Sequence, residues 1–167
     1  MLKAIPRNSV IGFLIGVLPG AGATIASFLA YGMERNFVSD EEKEKFGKGS
    51  VHGLTAPETA NNAACSGAFV PLLTLGIPGS GTTAVMLGAL LGFGIQPGPR
   101  LYITNPEIFW SVIMSMYIGM VVLLILNLPL IPYIARILAV PKNYLIPLIL
   151  FFSITGIYVM SFNNFDI

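Results

Sequence analysis

The stretch Pro19-Gly20-Ala21-Gly22-Ala23-Thr24 recurs as Pro78-Gly79-Ser80-Gly81-Thr82-Thr83, and both copies sit inside long apolar runs with no charged residue nearby. Proline removes a backbone donor and glycine weakens a helix interior, so each copy predicts a broken helix. A bilayer tolerates released backbone only where it is buried in protein or lines an aqueous cavity. A matched pair of such Gly/Pro-interrupted segments points to the binding site of a secondary transporter.

Composition points the same way. Of 167 residues, 54% are hydrophobic and only 10% are charged, and the mean hydropathy is +0.78, whereas soluble domains carry roughly 25% charge. An all-α integral membrane protein is expected. A net charge of +1 offers no broad basic face for nucleic acid. The one cysteine, Cys65, excludes an internal disulfide and a multi-cysteine metal site, and no metal centre or bound cofactor is expected. The run after Met1 to Arg7 lacks a small-x-small cleavage site, so no removable signal is expected.

Outward from the first break, residues 10–33 form an apolar segment whose two arms, about ten residues or roughly 15 Å each, are half a hydrocarbon core. Such a segment is either one kinked span or a re-entrant hairpin with its tip at Pro19 to Thr24. Residues 34–54 hold most of the charge and read as an amphipathic loop, with Ser39-Asp40-Glu41-Glu42 in the form of a capping box and a short turn of helix closed by Phe46-Gly47. Thr55-Ala56-Pro57-Glu58 is a second such box, opening a helix to about Leu75. Interrupted over 76–82 and resumed from Thr83, this makes a discontinuous transmembrane helix over 55–95, ended by Gln96-Pro97-Gly98-Pro99. Residues 108–135, bent near Pro129 and Pro132, and 144–162 read as two further spans. Tyr102, Trp110, Tyr133 and Tyr144 fall near the expected ends, where aromatic belts sit.

Charge bias decides between the two readings of the first segment. If 10–33 spans, Lys3, Arg7 and Arg100 lie on one side and Arg35, Lys43, Lys45, Lys48, Arg136 and Lys142 on the other. If it is a hairpin, every basic residue except Arg100 falls on a single side. The positive-inside rule favours the hairpin and makes the charged loop cytoplasmic.

Four runs, Gly16 to Thr24, Ala56 to Ala63, Leu73 to Ser80 and Gln96 to Pro99, together resemble, in order, the large membrane subunit of the tripartite tricarboxylate transporters, the TctA family. They cover roughly residues 11–101. That subunit is longer and internally duplicated, so the chain resembles part of its second half, one half of an inverted-repeat transporter. The resemblance implies secondary active uptake, by symport, of tricarboxylates or related carboxylates across the bacterial inner membrane. The implied partners are a small membrane subunit and a periplasmic solute-binding protein.

The residues explain why the breaks suit a carboxylate. No lysine or arginine lies between Lys48 and Arg100, so the donors left are the free N–H groups at the helix starts after Gly22 and Gly81, each end carrying about half a positive charge. Ser80, Thr82, Thr83 and Thr24 add hydroxyls, and Gly20, Gly22, Gly79 and Gly81, with Pro78, let a ligand approach the backbone. Carbonyls released at Leu18 and Ile77 are candidate ligands for a coupling Na⁺. Glu58 is a candidate coupling-ion or H⁺ site, or simply a cap. Asn61 and Asn62, one helical turn further in, are candidate substrate ligands because two adjacent membrane amides are costly unless paired.

Other residues read more plainly. Gly12-x-x-x-Gly16 and Gly88-x-x-x-Gly92 fit close helix packing. His52 reads as a solvated loop residue and Cys65 as a small packing residue. Gly79-Ser80-Gly81-Thr82-Thr83-Ala84 matches a dinucleotide fingerprint in form, but no βαβ unit surrounds it and the lysine of a P-loop is missing. A serine hydrolase built on Ser80 lacks a base within reach. No enzyme is expected, and the alternative to transport is a non-transporting membrane scaffold or an inactive transporter remnant.

Overall fold

In the computed structural model, which describes residues 3–137 and 141–161, every regular element among the described residues is a helix. The chain divides into two compact units, the first running to Ile113 and the second from Met114.

The first unit is built on α1 (Ala4–Val17), α2 (Gly22–Phe37) and α4 (Val51–Gly67). Each buries a stripe of mostly small residues at four-residue spacing: Ala4, Asn8, Gly12 and Gly16 on α1, Ala26, Ala30 and Glu34 on α2, and Ala56, Ala60 and Ala64 on α4. Residues four apart share one helix face, so the stripes meet as seams. A Cβ on Gly12 would stand 2.2 Å from the Ala60 carbonyl oxygen, and one on Gly16 would stand 2.2 Å from that of Ala64. This constant register makes α1 and α4 parallel, with backbone against backbone, an approach that only small residues permit. α2 runs the other way, because its late residue Glu34 binds Arg7, near the start of α1. Residues 4–37 are thus an antiparallel helical pair whose turn is the first Pro-Gly break.

The arms are longer than the apolar segment 10–33 suggested. α1 takes in Arg7 and Asn8, and α2 takes in Glu34 and Arg35. The helices continue past the first charges because Arg7 and Glu34 neutralise each other at the open end of the pair.

Two capping boxes are corrected. α4 opens at Val51, not at Thr55: Ser50 is its N-cap and accepts from Gly53 N–H at 3.0 Å. Pro57 then lies inside the helix, past its first turn, and has no N–H to offer the Gly53 carbonyl, so the ladder loses one bond there. In α3 (Asp40–Lys43), Ser39 makes no side-chain cap. Glu42, the acid that would close that box, is bound instead to Ser50 Oγ at 2.7 Å.

α4 and α5 (Phe69–Leu75) meet at Ala68. Pro71 has no N–H to offer the Gly67 carbonyl four residues back, so the ladder is interrupted there. α5 ends on Gly76 in the left-handed region, φ 73°. The Pro97 carbonyl oxygen would be 2.7 Å from a Cβ at Gly76, and Gly98 N–H donates to Leu73 O at 3.3 Å. The Gln96-Pro97-Gly98-Pro99 turn therefore folds back and holds the second break. α6 (Gly81–Gly92) and α7 (Leu101–Thr104) follow. Gly88 and Gly92 have nothing within 4 Å of a built Cβ, so this glycine pair makes no close helix contact within the described residues.

α8 (Pro106–Ile137) passes through Pro129 and Pro132 and contributes its later part to the second unit, with α9 (Lys142–Ser161). The stretch 108–135 lies in α8; 144–162 lies in α9 except for Phe162, which is outside the described residues. Among the described residues one helix is long and apolar enough to cross a membrane, Pro106–Arg136 with mean hydropathy 2.4.

Candidate functional site

The repeated hexapeptide is a structural repeat as well. Gly22 opens α2 and Gly81 opens α6, each the fourth residue of its copy. In the second copy Ser80 is an extended N-cap whose Oγ accepts from Thr83 N–H at 3.3 Å, while Ser80 N–H donates to Thr83 Oγ1 at 2.8 Å. The Thr83 hydroxyl also donates to Ser80 O at 2.9 Å and is 2% exposed, so it is committed to the cap. Capping removes one of the orphan donors of the helix start. The N–H groups of Gly81 and Thr82 remain at an exposed end, with nothing within 4 Å of a built Cβ at Gly81.

In the first copy Ala21 stands where Ser80 stands and has no hydroxyl to cap with, so α2 starts without a side-chain cap and Thr24 is exposed. Gly20 and Gly22 take φ 86° and 69°, a left-handed conformation that favours glycine, and open space surrounds both. The Leu18 carbonyl accepts from Ala21 N–H at 3.2 Å. Ile77 N–H donates to Pro71 O at 3.2 Å, and Pro78 is half-buried beside it.

Contacts place the two breaks at one end of the first unit. Gly67 packs on Phe13 and Gly16, just ahead of the first break, and a Cβ on Gly79 would stand 3.3 Å from the Cβ of Ala68, the next residue along. Two uncovered helix starts therefore lie at the end of the bundle away from Glu34.

The polar residues of α4 divide between two faces. Asn61 Nδ2 donates to Ser27 Oγ at 3.2 Å, and Ser27 also donates to Pro57 O at 3.2 Å, so this amide binds α4 to α2. Beside it is a cavity of about 220 Å³ lined by Ser27, Phe28, Tyr31 and Pro57. Asn62 is exposed and its amide turns back to Glu58 O at 2.9 Å. Glu58 is exposed on the same outward face. Cys65 is exposed too, rather than serving as a packing residue.

The sequence reading missed the opposite end of the bundle. Glu34, 1% exposed, accepts from Arg7, from Asn8 Nδ2 at 2.8 Å and from His52 Nδ1 at 2.9 Å. Arg7 also covers the Phe37 ring at 4.1 Å. His52 is therefore a partner of a buried carboxylate in the first turn of α4, not a solvated loop residue. Glu34 is the first residue after the apolar segment 10–33. Burial pushes its carboxyl upward, but the hydrogen bonds from Arg7, Asn8 and His52 outweigh burial and hold it below the ordinary glutamate range. A signal for the pair was present: Arg7 and Glu34 are equally far from the Gly20–Ala21 step, so a hairpin folded there brings them together.

The whole chain, residues 1–167, matches the family described as "Tripartite tricarboxylate transporter TctA family". Two relatives from Agrobacterium vitis are each 44% identical to it. One, described as an uncharacterized 52.8 kDa protein in the TAR-I ttuC' 3' region, aligns over 96% of this chain and 32% of its own length. The other, an uncharacterized protein in the TAR-II ttuC' 3' region, aligns over 93% of this chain and 64% of its own length. The chain thus spans about a third and just under two thirds of these relatives. No solved structure matches. With the match running from end to end and covering both broken helices, the chain belongs to the tripartite tricarboxylate transporter TctA family.

Proposed function

We propose that this chain forms part of a carrier that takes tricarboxylates or related carboxylates across the bacterial inner membrane, driven by a Na⁺ or H⁺ gradient. It works with a small membrane subunit and a periplasmic solute-binding protein. One observation carries the reading: Gly22 and Gly81 open two helices at the same end of one unit, with open space before both. Paired helix starts give donors and positive dipole ends to an anion where no basic side chain is at hand. Residues 10–33 act as a re-entrant hairpin and 55–95 as a discontinuous crossing in one half of an inverted repeat. The rest of the longer protein supplies the facing half and covers the outward face of α4, because an acid such as Glu58 does not face lipid. Gly20, Gly22, Thr24, Pro78, Gly79, Ser80, Gly81 and Thr82 frame the substrate site, with Thr83 acting through the cap it holds on Ser80; of the α4 amides, Asn61 holds α4 to α2 and Asn62 faces outward, toward the rest of the longer protein. Glu58 and the Leu18 and Ile77 carbonyls are its coupling-ion candidates.

Gly81→Val in the full-length transporter is the sharpest test. Gly81 is exposed, and nothing within 4 Å would meet the new side chain. The fold should therefore stand while ligand access is lost, with affinity falling tenfold or more, about 1.4 kcal/mol. Gly88→Val, equally open on the same helix, should leave affinity unchanged. Ser80→Ala tests less cleanly, since it also removes a cap worth about 1 kcal/mol. Binding measurements on the reconstituted protein that show normal affinity in Gly81→Val would move the site elsewhere.

Topology has its own test. With Cys65 replaced by alanine, single cysteines at Lys3 and at Lys43 should both resist a membrane-impermeant thiol reagent applied from outside. Labelling of one but not the other would mean that 10–33 spans.

A further inference from the structure

We propose that the outward face of α4 is the wall of a water-filled, cation-favouring crevice that leads from the two breaks to the side of the charged loop 34–54. Its role as the release route for the coupling cation and the carboxylate rests on the transport reading above; the crevice itself does not. The helices of the bundle differ in what they leave uncovered. Between the first break and the loop, α1 exposes Val10, Phe13 and Leu14, and α2 exposes Ile25, Phe28, Leu29 and Met33. Both faces suit lipid. Beyond Leu54, the exposed residues of α4 are Glu58, Asn62 and Cys65. Spaced four and three apart, they share one side of the helix, and an acid and an amide are kept from lipid.

Two observations favour water over a packed partner on this face. First, its donors are spent on the helix's own carbonyls: Asn62 Nδ2 donates to Glu58 O at 2.9 Å and Ser66 Oγ to Asn62 O at 3.5 Å. The Glu58 carboxylate and Asn62 Oδ1 remain, both acceptors, and neither has a protein partner among the described residues. No lysine or arginine lies between Lys48 and Arg100 to meet the acid. Second, the face is continuous with the open space at the breaks. From Glu58 to Ser66 it rises about 12 Å. Just past its far end Ala68 meets Gly79, whose neighbour Ser80 caps the uncovered start of α6. Its near end is Val51, where α4 leaves the charged loop. Any path from the breaks to that side runs along the bundle, and the α4 face is the polar way. The rest of the longer protein encloses the crevice from across it. Low-dielectric walls focus the field of Glu58, so the crevice attracts cations and repels a bare carboxylate. The substrate therefore moves there beside the cation that neutralises it.

The test uses the full-length protein in membrane vesicles, with exposed Cys65 as the native probe and mass spectrometry of its peptide as the readout. Cationic trimethylammonium and anionic sulfonate methanethiosulfonates are applied from the charged-loop side. Each should modify Cys65 within about tenfold of its rate in the denatured protein, since the reacting thiolate forms where water reaches it. Relative to the denatured protein, the cationic reagent should be favoured about fivefold, and Glu58→Gln should reduce that preference below about twofold. Modification by an apolar maleimide alone would mean that lipid covers the face, and no modification before denaturation would mean packed protein; either overturns the crevice. A preference that persists in Glu58→Gln overturns the role of the acid. Should that variant not fold, the wild type decides: its preference should vanish between about 0.01 and 0.3 M salt, and a preference that survives overturns the role. In a second arm, loading Cys65 with the cationic reagent should slow citrate uptake by proteoliposomes about tenfold, while uptake by Cys65→Ala should not respond to the reagent. Unchanged uptake by the fully modified wild type overturns the release role. A wild type that takes up no citrate refutes citrate transport, on which that role rests, and leaves the labelling arm to judge the crevice.

Discussion

Gly12→Ala is expected to lower the stability of the folded protein by about 3 kcal/mol, the upper end of the usual cost of overpacking. The new methyl would lie 2.2 Å from the Ala60 carbonyl oxygen and 2.6 Å from its Cα. Both are backbone atoms, so no side chain can turn aside and α1 must move away from α4 as a body. That movement loosens the whole seam of Asn8, Gly12 and Gly16 against Ala60 and Ala64. Gly16→Ala should cost a similar amount, and the double variant less than the sum, because the helices have already parted. Gly32→Ala and Gly88→Ala are the controls. Both glycines lie within helices with nothing within 4 Å of a built Cβ, so alanine should stabilise by about 0.5 to 1 kcal/mol. Thermal unfolding of the purified full-length protein in detergent separates the groups, and equal effects at Gly12 and Gly88 would refute the close α1–α4 contact.

Glu34→Ala is expected to destabilise by about 3 kcal/mol, the lower end for breaking a buried ion pair. The lower end applies because the Arg7 side chain is 30% exposed and regains water, whereas Asn8 is fully buried and does not. Glu34→Gln keeps an acceptor for Asn8 and should lose about half as much. Their pH dependence follows from the lowered Glu34 carboxyl. A group whose folded value lies below its unfolded one stabilises fully above the unfolded value, about 4.3 for glutamate. That contribution is lost as pH falls through the folded value. Wild-type stability should therefore drop on acidification below about pH 4.3 by a component that Glu34→Gln lacks. Parallel wild-type and variant curves over that range would place Glu34 outside the network.

Much of the chain was legible without coordinates. Each Pro-Gly-x-Gly copy breaks a helix and restarts it on its second glycine, since proline's missing N–H is a property of the residue itself; the first copy adds Gly20 and Gly22 at positive φ, whereas the second break turns on Gly76, ahead of its proline. The all-helical character and the long apolar α8 followed from composition and run length for the same local reason. The symmetric placement of Arg7 and Glu34 about the first break was also there to be read, because an antiparallel pair that turns at this break brings them together.

Three-dimensional packing decided the rest. Gly12-x-x-x-Gly16 and Gly88-x-x-x-Gly92 are the same pattern, yet the first lets two backbones touch and the second faces open space. A sequence gives the spacing of small residues but not what lies opposite them. Thr24 and Thr83 occupy the same place in the repeat, yet one is exposed and the other locked in a cap, because Ala21 lacks the hydroxyl that Ser80 supplies. Thr55 looked like a helix start, but Ser50 took that role once Glu42 came within 2.7 Å of its hydroxyl. Above all, the partners of Glu34 come from helices at distant points in the chain. Local sequence determines where a helix breaks; a buried charge is settled by whichever donors the fold brings to it, because removing it from water is tolerable only when they arrive together.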